Sequence, residues 1–298
     1  MSYPLTTSLR VIKELQWVKE TTRGTTPSSP AFAAIPTKEF SPKPNVENIK
    51  YRKLGSPDLY KGIKVREMYD FGISYAPVAL DNFLKSMINL TGTGNRDDYY
   101  TIFLSQQQNV TGTLTEQYQV ARGCGISSVT ISVKNGELVM VDSDWIANSI
   151  SAWVTTSPFT TPTYATALTA TPWSSVIAGA FTWDTAGTPK VFDVRNFSCT
   201  INHNPDRVQV VGQAQTSWIQ QTTRDITVSV DIVYKDTTAQ ADTISFTPRN
   251  ATMVINNTPV TLTFTDLYLE SYDETVNADS TDAKTVSYSG YAANVSIA

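Results

Sequence analysis

Residues 126–142 read ISSVTISVKNGELVMVD, and this stretch decides the fold class. Val129, Ile131 and Val133 alternate with small polar residues, the period-two pattern of a half-buried strand. Asn135-Gly136 follows, the pair that best closes a two-residue hairpin, because both positions tolerate positive φ. After the turn, Leu138, Met140 and Asp142 alternate with Val139 and Val141. The stretch therefore predicts an antiparallel β-hairpin. Asp142 and Asp144 fall two residues apart, on one face of its second strand.

The same period recurs downstream. Residues 226–234 (ITVSVDIVY) place Ile226, Val228, Val230, Ile232 and Tyr234 on one side, and 260–264 (VTLTF) and 285–291 (TVSYSGY) repeat the pattern. Val176–Trp183 reads as a further strand within a Thr/Pro-rich segment, 151–189, that reads partly as loop or insertion. Upstream lies one helix signal. Leu80, Phe83, Leu84, Met87 and Ile88 follow Pro77 at helical spacing, with Gly92 just beyond. Many strands with a single helix predict a mainly β fold: an antiparallel β-sandwich or split barrel with one flanking α-helix.

Residues 1–66 differ from the rest. They carry a net charge of +7, whereas 67–298 carry −11. Between about 20 and 62, Pro and Gly recur, which predicts an extended, basic arm with short strands, for instance near Lys50–Leu54. Lys19, Arg23, Lys38, Lys43, Lys50, Arg52 and Lys53 are its candidate contact residues, suited to the acidic body of a neighbouring copy. The expected division is thus an arm, 1–66, and a β-domain, 67–298. Nucleic-acid recognition is not indicated, since an acidic body repels phosphate. No apolar run has the length of a signal peptide core or a bilayer span, so cytosolic synthesis and no membrane partner are expected.

The composition is poor in familiar catalytic sets. His203 is the sole histidine, flanked by Asn202, Asn204, Pro205 and Asp206, and reads as a solvated or hydrogen-bonded turn residue. Cys124 and Cys199 lie in strand-like stretches and read as small buried hydrophobes, with a bridge between them the minor alternative. Asp97-Asp98 sits in a turn-like stretch, and Glu270, Asp273, Glu274, Asp279 and Asp282 read as a solvated loop. No catalytic, cofactor or metal site is expected.

Several pieces, taken in order, resemble the tail tube protein family of tailed bacteriophages and related head–tail viruses. They are Trp17-Val18-Lys19-Glu20-Thr21-Thr22, Gly24-Thr25-Thr26-Pro27, Ser29-Pro30, Ile35-Pro36, the helix after Pro77, and Arg122-Gly123-Cys124-Gly125-Ile126. Pro172-Trp173 through Trp183, then Val194–Ser198 to Asn202–Asn204, complete the series. The resemblance implies a structural virion protein, the major tail tube subunit. It would be assembled in the host cytoplasm as stacked rings, commonly of six, around a channel for the genome. Its implied partners are further copies, other tail proteins such as tape measure and terminator, and DNA in non-specific passage. By this resemblance the hairpin 126–144 and the strands near 191–201 and 226–234 supply the lumen wall, with Glu137, Asp142, Asp144 and Asp231 facing the lumen. The basic arm would bridge rings. The alternatives are a distal-tail or tail-tip subunit of the same fold, and a carbohydrate-binding β-sandwich adhesin using Trp145, Trp153 and Trp173 as a sugar platform. A hydrolase built on carboxylates alone ranks behind both.

Overall fold

The structure, a computed structural model, describes residues 10–52, 59–78, 82–88, 98–110, 113–166, 170–174, 181–185, 188–211, 218–233, 238–256, 260–274 and 285–298. Its organiser is a 22-residue strand, β6 (Thr113–Lys134), which serves two sheet regions in turn. The first half of β6 pairs with β5 (Tyr100–Val110), which pairs with β1 (Arg10–Lys19), which pairs with β2 (Ala33–Ile35); the short β8 (Ser149–Ile150) flanks β6 on its other side. Its second half lies between β7 (Met140–Ala147) and β11 (Val194–Asn202). From β11 the sheet continues through β14 (Asp225–Val233), β17 (Thr285–Ile297), β16 (Val260–Glu274), β15 (Arg249–Asn256) and β9 (Phe181–Thr185) to β10 (Thr188–Phe192). From β7 it continues to β4 (Leu59–Tyr75) and β3 (Thr37–Arg52). A separate hairpin joins β12 (Pro205–Val208) and β13 (Trp218–Gln221). Among the described residues all pairs of these strands are antiparallel and the sheet does not close into a barrel, so the mainly β, sandwich-like expectation holds.

The expected hairpin is β6–β7, with Glu137 N–H donating to Lys134 O at 3.0 Å across the Asn135-Gly136 turn. Its inward residues are those the alternation selects. Val129, Ile131, Val133, Val139 and Val141 are buried, as are Ile226, Val228, Val230 and Ile232 of β14. Helix α1 (Asn82–Ile88) buries Phe83, Leu84, Met87 and Ile88 in the core. Phe83 sits 5.2 Å from Trp17 and stacks on Trp145 at 5.4 Å, so the helix ties β1 to β7. Arg224 closes the helix end by donating from Nη2 to Ile88 O at 2.9 Å. Leu80 and Gly92 of the helix signal lie outside the described residues.

A second helix, α2 (Thr238–Ser245), carries no clear amphipathic pattern and was not expected. Asp242 anchors it through bonds from Arg249 Nη2 and Nε, at 2.9 and 3.1 Å, and from Trp183 Nε1 at 2.8 Å. Burial alone would raise the Asp242 carboxyl, but these bonds and the Arg249 charge outweigh it and hold the carboxyl below its ordinary value.

Much of the Pro-rich stretch is strand. β3 pairs with β4 from Thr37↔Tyr75 to Arg52↔Leu59, and Pro42 and Pro44 stand opposite Phe71 and Tyr69. β3 is an edge strand, where proline is tolerated because its missing N–H can face outward, and two prolines discourage unwanted pairing there. β7 pairs with β4 only over Tyr69–Tyr75, so beyond Asn45 and Met68 the hairpin continues as a two-stranded ribbon.

His203 corrects one alternative. The turn is present, with Asn204 at φ +42° and its N–H bonded to Asn202 Oδ1 at 3.1 Å, but the His203 ring is buried rather than solvated. The Glu270–Glu274 part of the acidic run is strand β16 rather than loop; Asp279 and Asp282 lie outside the described residues.

Candidate functional site: a polar sheet face and its pivot

One face of β6 is core, and the other forms a continuous small-polar surface across eight strands. Register alone establishes it, since directly opposed residues share a face. One row runs Glu39, Ser74, Asp142, Thr130, Thr200, Thr227, Tyr291, Tyr268 from β3 to β16. The next runs Ser41, Gly72, Asp144, Ser128, Asn202, Asp225. On the other side lie Met140, Ser132, Ser198, Ser229, Ser289 and Ser271, and then Lys134, Asn196, Asp231, Ser287 and Asp273. None of these residues is buried.

Side chains link across the rows. Thr130 and Thr200 hydroxyls lie 2.9 Å apart, and those of Ser271 and Ser289 lie 2.6 Å apart. Ser128 Oγ donates to Asp144 at 3.1 Å, Asn196 Nδ2 to Asp231 at 2.7 Å, and Ser41 Oγ to Glu39 at 2.7 Å. Most of the side chains are short, and the carboxylates of Glu39, Asp142, Asp144, Asp225, Asp231 and Asp273 against Lys134 give the face a negative potential. Asp70, in the adjoining row of β4, is ion-paired to Arg207 of β12.

The sequence-derived candidates divide clearly. Asp142, Asp144 and Asp231 stand on this one face, whereas Glu137 is exposed in the turn at the end of the β6–β7 hairpin. Glu39, Asp225 and Asp273 join the face and were missed, although the complementary parity of the same alternating strands marks Asp225 along with Thr227, Ser229 and Asp231. Asp70 and Arg207 carry no such signal. Among the basic candidates, Lys19 is ion-paired to Asp98 at 2.6 Å and the Arg23 guanidinium lies 5.0 Å from the Tyr99 ring centre, so both rest against the body. Lys38 is exposed at the start of β3. Lys43, Lys50 and Arg52 lie on β3, and Lys53 falls outside the described residues.

The face depends on the bend of β6, and a buried carboxylate builds that bend. Gly123 adopts φ +60°, and a Cβ there would meet the Asn148 side chain at 2.7 Å, so only glycine fits both demands. Glu20 Oε1 accepts from Gly123 N at 2.9 Å and from Thr101 Oγ1 at 2.7 Å, while Oε2 accepts from Gly24 N at 2.6 Å. Thr26 and Arg122 extend the network at 3.0 and 3.1 Å. The segment after β1 is thereby fastened to the pivot of β6.

The adhesin alternative loses its platform. Trp145 and Trp173 are 1% and 2% exposed, Trp145 is stacked in the core, and only Trp153 is half-exposed. Cys124 and Cys199 are unpaired and buried, as the strand reading expects. Burial pushes the Cys124 thiol well up, and pushes Cys199 up to about 12 despite the opposing Arg224 charge. Among the described residues no group of three or more His, Cys, Asp or Glu side chains is placed to hold a metal ion, and no helix is long and apolar enough to cross a membrane.

A comparison with curated proteins finds no match. The phage tail tube protein family matches residues 13–292, a span that includes the Glu20 network, the β6 pivot and the whole polar face. The chain belongs to the phage tail tube protein family and is a structural component of a phage tail.

Proposed function

We propose that the chain is the major tube subunit, that its copies close into rings and stack, and that the polar face of β3–β4–β7–β6–β11–β14–β17–β16 is the wall of the genome channel. The carrying observation is the face itself. It spans eight strands, is built mainly of Ser, Thr, Asn and Asp, and backs onto the core. A free sheet face of this extent needs a use, and small acidic side chains suit one. They repel phosphate, so a duplex passes without being held. Rings of six, the tape measure and terminator partners, and the basic hairpin as inter-ring arm follow from the same assignment. A distal-tail subunit of like fold would present the same face in a single ring rather than a stack.

Thiol accessibility tests the placement. With both native thiols buried and held protonated, Asp142→Cys supplies the reactive site. A maleimide carrying a bulky polyethylene glycol chain should label the dispersed variant quickly. Labelling of sedimented tubes should fall about tenfold or more, while small maleimides entering the channel still react. Equal bulky labelling in both states would place the face outside.

A further inference from the structure

The strand order repeats itself. From one end the pairing runs β2, β1, β5, β6, β7, β4, β3, with α1 between β4 and β5 in the chain. From the other it runs β10, β9, β15, β16, β17, β14, β11, with α2 between β14 and β15. Place by place, the two series follow the same chain order; the short β8 and the β12–β13 hairpin stand outside them. The irregularities coincide as well. The extra residue of β3, Lys38, lies between Thr37↔Tyr75 and Glu39↔Ser74, and its counterpart in β11, Arg195, lies between Val194↔Ile232 and Asn196↔Asp231. Ser127 is extra in β6 against β7, and Glu270 is extra in β16 against β17. Gly123, at φ +60°, and Asp266, at φ +48°, stand equally far before those two residues, where the ladders to β5 and β15 shift. Bulges are position-specific features, so their recurrence in register marks a repeated unit.

The two units meet where β6 pairs with β11, from Ser128↔Asn202 to Lys134↔Asn196. The counterparts of those strands are β16 and β3, and both are open there. Among the described residues β3 pairs with β4 alone, and Tyr268–Glu274 of β16 pairs with β17 alone. The helices differ in the same way. The second unit covers α1: Arg224 bonds Ile88 O, the helix packs on β17, and Met87 is 1% exposed. Phe40↔Ile73 answers to Phe197↔Val230, and Ile244 of α2 stands as far beyond Val230 as Met87 does beyond Ile73. Ile244 is 74% exposed.

We infer that the chain is two successive copies of one seven-stranded unit, and that neighbouring chains join as these units do, the open edge of β16 in one copy against the open edge of β3 in the next. The inference rests on the tube assignment and names the contact within it. The six positions of the ring are then six units, supplied by three chains. Unpaired strand edges are templates for another chain, and the join removes both. Pro42 and Pro44 keep their carbonyls but supply no N–H, so this join holds fewer main-chain bonds than the internal one, and two β3 edges pair poorly with each other. Burial of Ile244 adds apolar area beside it.

Disulfide trapping in the assembled full-length protein reads the contact and counts the chains. The β6–β11 register, carried over, sets Ser271 opposite Asn45, both exposed. Facing Cα atoms of paired strands lie about 5 Å apart, within disulfide reach. Oxidised tubes of Ser271→Cys with Asn45→Cys should give a ladder on a non-reducing gel that stops at three chains. Ser128→Cys with Asn202→Cys, the internal counterpart, should link within one chain and give no ladder. Ile244→Asp should keep the thermal midpoint within about 2 °C, since the residue is solvent-facing in the single chain, yet lower the sedimentable fraction about tenfold or more. Tubes in which the internal pair links but the Ser271 and Asn45 cysteines do not, or normal assembly of Ile244→Asp, overturn the join and leave the tube assignment standing. A ladder reaching six chains overturns the three-chain ring. A parent chain that never assembles takes down the tube assignment and the join with it.

Discussion

Gly290→Ala is expected to lower stability by about 5 kcal/mol, at the far end of what single substitutions do. A Cβ on Gly290 would run into Tyr268 O and would lie 2.9 Å from Leu269 Cα. Both are backbone atoms of the paired strand, beside the register shift between Leu269 and Ser271, so no side chain can swing aside. The β16–β17 ladder must part instead. For a chain of this length the thermal midpoint should fall by about 8 °C. Ser289→Ala, one residue away and solvent-facing, should stay within about 1 kcal/mol of the parent. A midpoint for Gly290→Ala within about 2 °C of the parent would show that the strands are spaced differently here.

Glu20→Ala is expected to cost about 4 kcal/mol, because three donors lose a buried carboxylate acceptor at once. Those donors are Gly123 N, Gly24 N and Thr101 Oγ1, so the loss falls on the bend of β6 and on the segment after β1 together. Glu20→Gln keeps one acceptor oxygen but turns an amide donor toward Gly24 N, and should recover about half of the loss. Heat or urea denaturation followed by circular dichroism measures both. Because the bend sets the relation between the two sheet regions, Glu20→Ala should also assemble poorly at temperatures where it remains folded. A fully stable Glu20→Ala that assembles normally would mean that the network is incidental.

The sequence reveals the face but not the bend. Alternation marks Val129, Ile131 and Val133 as inward, and leaves Thr130, Ser132, Asp142 and Asp144 outward, because period two is a property of the strand backbone itself. Helix α1 is equally legible, since Phe83, Leu84, Met87 and Ile88 sit at helical spacing on one face. Helix α2 is not legible: its polar sequence is held by tertiary bonds from Arg249 and Trp183, which no local pattern encodes. The Pro-rich stretch illustrates a second limit. Pro42 and Pro44 argue against a central strand, yet β3 lies at an edge, and strand position is a long-range fact. Glu20 gives no sign of burial among its charged neighbours. Its role appears only when the Gly123 turn, 103 residues away, is brought beside it. The buried His203 belongs to the same class, with its backbone N–H fixed to Ser127 O by the return of β11 alongside β6.

The family places the chain in a phage tail, and the polar face says what a tube subunit would do with its surface. Electron microscopy of the concentrated, purified chain, with image reconstruction of whatever assembles, tests this most directly. The account predicts stacked rings or hollow tubes in which the row from Glu39 through Asp142, Thr130 and Thr200 to Thr227 lines the bore. Tubes with that row on the outer wall, or a chain that stays monomeric at every concentration and salt tried, would contradict it.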